Sequence, residues 1–461
     1  MSFTVENRAV SKMALAVLVQ GTGAHPASWL QTETVADAST DIDYYTRCAR
    51  LAEQGRFDLF FIADTPAART ENLTAWSRFP MFMNVFEPVT LLAAVAANTT
   101  HIGLGATAST SFYEPYNVAR LFASLDHISH GRAAWNVVTS ANDYAARNFG
   151  LDKLPPHNER YERAYEFVQV VKALWDTYED DAFILDRSSG LNFDPAKLHV
   201  LDHQGKFFKL HGALNIRRSP QGQPVIIQAG ASDTGREFAA ETAEVVFASD
   251  TTVAKGRVFY DDLKGRMAKY GREPDQLKVL AGVPVVIGES AQEAEDKYQA
   301  LQSMIHPDVG RMRLSTDLEV DLSDLPVDEP VPLDRIPAKS NFHHTYFAQI
   351  ADMVRRGMTL RQIYMNYERG TKTVRGTPIQ VADYMEEWIT GGAADGFMLL
   401  FHTMPSGLRD FVQRVVPELQ RRGLMRTEYE AQTLRGHLGL HRPPNRYVQA
   451  APAAPVAAAA E

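Results

Sequence analysis

The sequence predicts a closed parallel (β/α)8 barrel with insertions, and three observations carry that expectation. Eight short, nearly continuous apolar runs recur along the chain, each reading as a strand buried on both faces. An amphipathic stretch of helical period follows every run. The 461 residues exceed the about 250 of a minimal barrel, and the surplus gathers in two polar, Gly- and Pro-rich segments.

In order, strand Met13–Val19 precedes helix Asp41–Gln54, Leu59–Ala63 precedes Pro88–Asn98, and Ile102–Ala108 precedes Tyr116–Ser129. Ala133–Thr139 precedes Glu159–Tyr178, Val225–Ala229 precedes Asp233–Glu241, and Val245–Ala248 precedes Val253–Lys269. Val279–Ile287 precedes Ala291–Met304, and Gly396–Phe401 precedes Leu408–Arg422. An open doubly wound sheet is the alternative, because strand count decides closure. Residues 1–440 are expected to form a single barrel domain with insertions at about 180–223 and 305–378. The segment 441–461 reads as a flexible Pro/Ala-rich tail with little to bury.

Bulk properties exclude several classes. A net charge of -9 argues against nonspecific nucleic-acid binding. No apolar run is long enough to span a bilayer. Lys12 and the apolar run Met13–Val19 imitate a secretory signal, but the run is short and a buried first strand explains it. A cytoplasmic enzyme is expected. The single cysteine, Cys48, permits no intrachain disulfide, and its helical neighbours make it a buried filler. No metal site is expected, because no HxH or HExxH spacing occurs, and P-loop and GxSxG motifs are missing too.

Chemistry is expected where strands end in polar residues. The run Ala133–Thr139 leads into Ser140, Asn142 and Asp143, with Asn136 and Thr139 inside it. Leu59–Ala63 ends in Asp64, and Thr107 closes Ile102–Ala108. Gly103, Gly105 and Ala108 satisfy a GxGxxA dinucleotide spacing, but they fall inside the strand and not in the following turn, so that reading is rejected. Gly230-Ala231-Ser232 form a small-residue turn before a helix, where free N–H groups favour an anion; a plain turn with Ser232 as N-cap is the alternative. His157 and Tyr161 lie four apart on one helical face and can reach the same anion, or can belong to a solvated helix start. His25 follows the first strand and His306 opens the second insertion; both are candidates for proton transfer or are surface residues.

Trp135-Asn136-Val137-Val138-Thr139-Ser140, Asp194-Pro195-Ala196-Lys197, Arg218-Ser219-Pro220-Gln221-Gly222, His306-Pro307 and Gly391-Gly392-Ala393-Ala394-Asp395-Gly396-Phe397 occur in this order. With these motifs the chain resembles the two-component flavin-dependent monooxygenases of the nitrilotriacetate, dibenzothiophene-sulfone and EDTA group, within the bacterial-luciferase-like superfamily. The resemblance covers nearly the whole chain. It implies a (β/α)8 barrel that takes reduced FMN from a separate NAD(P)H:FMN reductase. With O2 it would oxygenate a small organic substrate beside nitrogen or sulfur, so that a C–N or C–S bond breaks. It implies that Asp64, Thr107, Asn136 and Ser140 line the isoalloxazine and ribityl parts, and that His157, Tyr161, Gly230, Ala231 and Ser232 hold the phosphate. It further implies catalytic roles for His306, His25 and Ser140, although some relatives carry a histidine where this chain has Ser140. A homodimer or homotetramer is implied by the family alone.

Residues 305–345 are the expected lid. Arg311, Arg313 and Lys339, followed by Asn341, His343 and His344, are candidates for meeting a carboxylated amine or thioether; a solvated lid surface is the alternative. Two other functions stay open at this point: a deazaflavin-dependent oxidoreductase on the same barrel, and a flavin-binding protein without catalysis.

Overall fold

The structure is a computed structural model that describes residues 12–337, 344–368 and 370–448. Its strands are β1 (Ala14–Leu18), β2 (Leu59–Ile62), β3 (Gly103–Ser109), β4 (Ala133–Val138), β5 (Leu201–Gln204), β6 (Lys209–Gly212), β7 (Val225–Gln228), β8 (Val245–Ala248), β9 (Lys278–Ile287), β10 (Val374–Gly376) and β11 (Gly396–Phe401). The order β1-β2-β3-β4-β7-β8-β9-β11 returns to β1, and every neighbour is parallel. The sheet is therefore closed, and the open doubly wound alternative falls. All eight predicted strands are barrel staves. The short β10 pairs in parallel with the C-terminal end of β9, at Val285 to Ile287, and β5 and β6 form an antiparallel hairpin in the first insertion.

Strand periodicity builds two cores at once. Ala14, Ala16, Leu59, Phe61, Ala134, Ile227 and Met398 meet inside the barrel. Leu15, Val17, Phe60, Leu104, Trp135 and Ile226 face outward to the helices. Both glycines of the rejected fingerprint have packing reasons. A Cβ on Gly103 would sit 2.5 Å from Leu434, and one on Gly105 would sit 3.0 Å from Phe61.

The helices follow the predicted pattern, with boundaries set by caps. Helix Ile42–Gln54 begins after Asp41, whose carboxylate accepts the Tyr44 N–H. The last predicted helix is interrupted by a π-helical turn at Phe411–Val415. Helix Pro378–Thr390 was not predicted, yet it has the full start signal of a Thr377/Gln380 capping box with proline in its first turn. The second insertion builds its own core from residues such as Val309, Leu314, Leu318, Ile350 and Ile363. Ala75 and Phe79, from the loop after β2, join that core.

The expected flexible tail begins too early at 441. The chain beyond Arg422 runs under the N-terminal end of the barrel, where Leu434, Leu438 and Leu440 pack against the inward strand residues. Arg442 pairs with Asp180, and buried Asn445 donates to the carbonyls of Asp176 and Tyr178 at 2.8 and 2.9 Å. Hydrogen-bonding side chains, not apolar burial, anchor this stretch, which is why its Pro-rich composition misled. Residues 449–461 lie outside the described residues.

Candidate active site

The C-terminal ends of β2, β3 and β4 open into a cavity lined by Asp64, Thr65, Pro66, Thr107, Ser109, Tyr113, Val138, Ser140, Asn142 and Ala145. Side chains at its floor are fixed by one another. Asn136 donates Nδ2–H to Thr107 Oγ1 at 2.9 Å, and Thr107 donates onward to the Ile62 carbonyl at 3.1 Å. This leaves Asn136 Oδ1 buried without a hydrogen-bond partner, behind the cavity-lining Thr107. Ser140 takes a left-handed backbone (φ 54°), its hydroxyl shares a 2.7 Å hydrogen bond with Ser109, and Arg160 donates to its carbonyl and to that of Thr139. Such a backbone costs energy in a residue with a side chain; here it turns the Ser140 hydroxyl toward Ser109 and the cavity.

Asp64 stands at the mouth. Burial pushes its carboxyl up to about 6, neighbouring Glu87 adds to the rise, and a hydrogen bond from the Thr65 N–H opposes it. The two oxygens of Glu87 accept the Val89 and Thr90 N–H groups at a helix start. Asp64 is thus neutral below about 6 and anionic above it. An anionic ligand in this cavity should bind more weakly as pH rises through that value. Asp64→Asn should remove this step from the affinity profile of a phosphorylated flavin, leaving only the ligand's own titration. A profile unchanged by the substitution would remove Asp64 from the cavity's electrostatics.

A turn of small residues, Gly230-Ala231-Ser232, follows β7, the strand beside β4. Gly230 and Gly235 pack back to back: a Cβ on Gly235 would lie 3.0 Å from both Gly230 Cα and the Tyr161 hydroxyl. Ser232 caps helix Asp233–Thr242 by accepting the Gly235 N–H at 3.0 Å. The N-cap alternative is therefore true of its oxygen, while its hydroxyl proton stays available to an anion. The His157 and Tyr161 rings meet at 4.8 Å above the same turn. Helix N–H groups, two hydroxyls and an exposed imidazole converge here, the donor set a phosphate requires. Together, this donor set and the polar cavity fit a phosphorylated flavin.

The three catalytic candidates do not share one cavity. Ser140 lines the chamber above; His25 lines an adjoining chamber across the end of β2, with Gln20, Ser28, Ile62 and Phe79. His306 lines a third cleft with Trp29, Arg78 and Met304. His306 caps helix Pro307–Leu318 through the Asp308 N–H at 3.2 Å, and its side chain is 43% exposed.

His25 is held as a neutral imidazole. Burial pushes it down to about 4 against a supporting Gln302 hydrogen bond, with Arg313 lowering it further. Its Nδ1 accepts the Ala27 N–H at 3.1 Å, so Nε2 carries the proton and donates to Gln302 Oε1 at 2.9 Å. Both nitrogens are committed, and His25 is a neutral, oriented wall.

Sequence reasoning missed His402, which follows β11 as Ser140 follows β4. It meets His25 edge-on at 5.5 Å, bonds Thr373 Oγ1 through Nε2 at 3.0 Å, and has a buried, unpartnered Nδ1. Burial first, then His25, Arg375 and Arg313, push it down to about 3. The polar-strand-end rule applied to β11 would have found it. Gln302 and Tyr298 had no local signal: Gln302 reaches His25 across 277 positions and also donates to the Tyr298 hydroxyl at 2.6 Å and the Met365 carbonyl at 2.7 Å.

Fold and site define a (β/α)8 barrel with two adjoining chambers at the C-terminal ends of its strands. The family model for luciferase-like monooxygenases matches residues 22–395. The chain is 47% identical over 444 residues to nitrilotriacetate monooxygenase component A of Aminobacter aminovorans, covering 94% of this chain and 98% of that relative. It is 43% identical to N-acetyl-S-(2-succino)cysteine monooxygenase of Bacillus subtilis (strain 168), over 95% and 99% of the two chains. Among solved structures, riboflavin lyase with modified FMN and riboflavin superposes with a TM-score of 0.81 at 30% identity, over 94% and 97% of the chains. The chain belongs to the luciferase-like monooxygenase family, and it is a monooxygenase, as its motifs implied.

Proposed function

We propose that this enzyme takes reduced FMN from a separate NAD(P)H:FMN reductase and uses O2 to oxygenate a carboxylated amine or thioether beside nitrogen or sulfur, so that a C–N or C–S bond breaks. The observation that carries this reading is the pairing of an anion cradle with a polar chamber and, across β2, a second chamber walled by neutral histidines. When bound, the reduced flavin supplies two electrons and activates O2; one oxygen atom enters the substrate and the other leaves as water. Gly230, Ser232, Tyr161 and His157 hold the phosphate. Asn136, Thr107, Ser109 and Ser140 orient the ring system, and the neutral His25 and His402 present polar edges without adding charge. The enclosed setting limits water access, which such chemistry needs.

Of the candidate lid cations, Arg313 is the best placed to meet a carboxylate. Its charge bears on His25, His402 and Tyr298. Arg311 donates to the Leu325 carbonyl at 3.1 Å and to Asp308 at 3.3 Å. Lys339, Asn341 and His343 lie outside the described residues. Assayed with a reductase, 18O2 and a panel of aminopolycarboxylates, succinylated thioethers and neutral sulfones, the enzyme should label a carboxylated substrate. Arg313→Glu should then raise its KM by at least tenfold, about 1.4 kcal/mol, and Arg311→Glu should change it little. Preferential turnover of neutral sulfones, or an unchanged KM in Arg313→Glu, would overturn the carboxylate reading. The enzyme is proposed to act as a homodimer or homotetramer in the cytoplasm. No helix among the described residues is long and apolar enough to cross a membrane.

A further inference from the structure

Two loops rise from the barrel on either side of β3 and supply opposite walls of the cofactor chamber. The loop after β2 contributes Asp64, Thr65 and Pro66; the loop after β4 contributes Ser140, Asn142 and Ala145. Beyond the chamber the loops are joined at two points. Asn148 donates Nδ2–H to the Pro66 carbonyl at 3.2 Å. The Arg69 guanidinium lies 3.8 Å from the centre of the Tyr144 ring and 5.1 Å from that of Trp76. Glu71 accepts from Arg69 at 2.7 Å, and the Arg69 backbone N–H points to Met83 Sδ at 3.3 Å, so the side chain is aimed from both ends.

The chain of contacts does not stop there. Trp76 stacks on Phe79 with ring centres 5.6 Å apart. Phe79 lines the His25 chamber and also belongs to the core of the second insertion, with Ile305, Val309 and Met312. Tyr144, on the other side of Arg69, precedes chamber residue Ala145. One cation between two rings thus connects the wall of one chamber with the wall of the next.

We propose that Arg69 is a positioning residue that clasps the two loops across the cofactor chamber and so retains the bound flavin. This rests on the reading that the chamber holds FMN. A planar guanidinium can stack on two ring faces at once, whereas a lysine ammonium is a point charge on a flexible stem. Retention should therefore depend on shape as well as charge.

The test uses the full-length protein and FMN, reduced under anaerobic conditions. Flavin dissociation is followed by stopped-flow fluorescence, and amide exchange of residues 66–76 is measured with and without FMN. Wild type should release FMN slowly and gain protection in that segment. Arg69→Ala should release it about tenfold faster and lose the protection, at an unchanged melting temperature because the side chain is partly exposed. Arg69→Lys should behave like Arg69→Ala, and Tyr144→Leu combined with Arg69→Ala should be no worse than the single variants. Wild-type release rates in Arg69→Ala, full rescue by lysine, or additive losses in the double variant would overturn the clasp alone. If the wild type bound no FMN, the chamber reading and the clasp would fall together.

Discussion

Gly235→Ala should weaken FMN binding at least tenfold, about 1.4 kcal/mol, with no gain in stability, because the close contacts of the new methyl offset its helix preference. Gly235 sits inside helix Asp233–Thr242 with no left-handed backbone, where alanine normally gains about 0.5–1 kcal/mol over glycine. The new methyl, however, would stand 3.0 Å from Gly230 Cα and from the Tyr161 hydroxyl. The first is backbone, so the turn that offers its N–H groups to the phosphate must move. The second is the hydroxyl expected to donate to the same anion. Riboflavin lacks the phosphate, and its affinity should barely change. Parallel titration with FMN and riboflavin separates the cases: an equal loss for both, or none for either, would remove the phosphate from this cradle.

Arg435→Ala should cost about 3–5 kcal/mol of stability, the range for breaking a buried ion pair on one side. Arg435 is 3% exposed, pairs with Glu244 through both terminal nitrogens, and donates to the carbonyls of Gln223 and His441 at 3.0 and 3.1 Å. It thereby locks the C-terminal segment under the barrel. Burial works against ionisation of Glu244, but Arg435 outweighs it and holds the carboxyl below the usual range. A depressed carboxyl stabilises the fold fully above its unfolded value, about 4.3, and that contribution disappears as pH falls through the folded value. The gap between wild type and Arg435→Ala in denaturant midpoint should therefore be widest near neutral pH and narrow in acid. A loss under about 1 kcal/mol at pH 7, the scale of an exposed pair, would contradict the assignment.

Barrel closure was legible because buried parallel strands leave continuous apolar runs, and all eight lie within a residue or two of their predicted positions. The grouping of Gly230, Ser232, His157 and Tyr161 was legible because a local turn and helical spacing produce it. The histidines were not. His25 looked like a proton carrier because loop position says nothing of burial; Gln302, far away in sequence, fixes its tautomer. The tail boundary failed for a related reason. Arg442 and Asn445 are anchored by Asp180 and by the carbonyls of Asp176 and Tyr178, contacts that composition does not encode.

This barrel should bind reduced FMN and direct its reaction with oxygen. The most direct test mixes the protein and reduced FMN anaerobically, adds oxygenated buffer in a stopped-flow instrument, and follows the flavin spectrum. Reoxidation should follow kinetics unlike those of free FMN, accelerated by one member of a panel of carboxylated amines and thioethers. Reoxidation indistinguishable from free FMN, with or without any panel compound, would contradict that expectation.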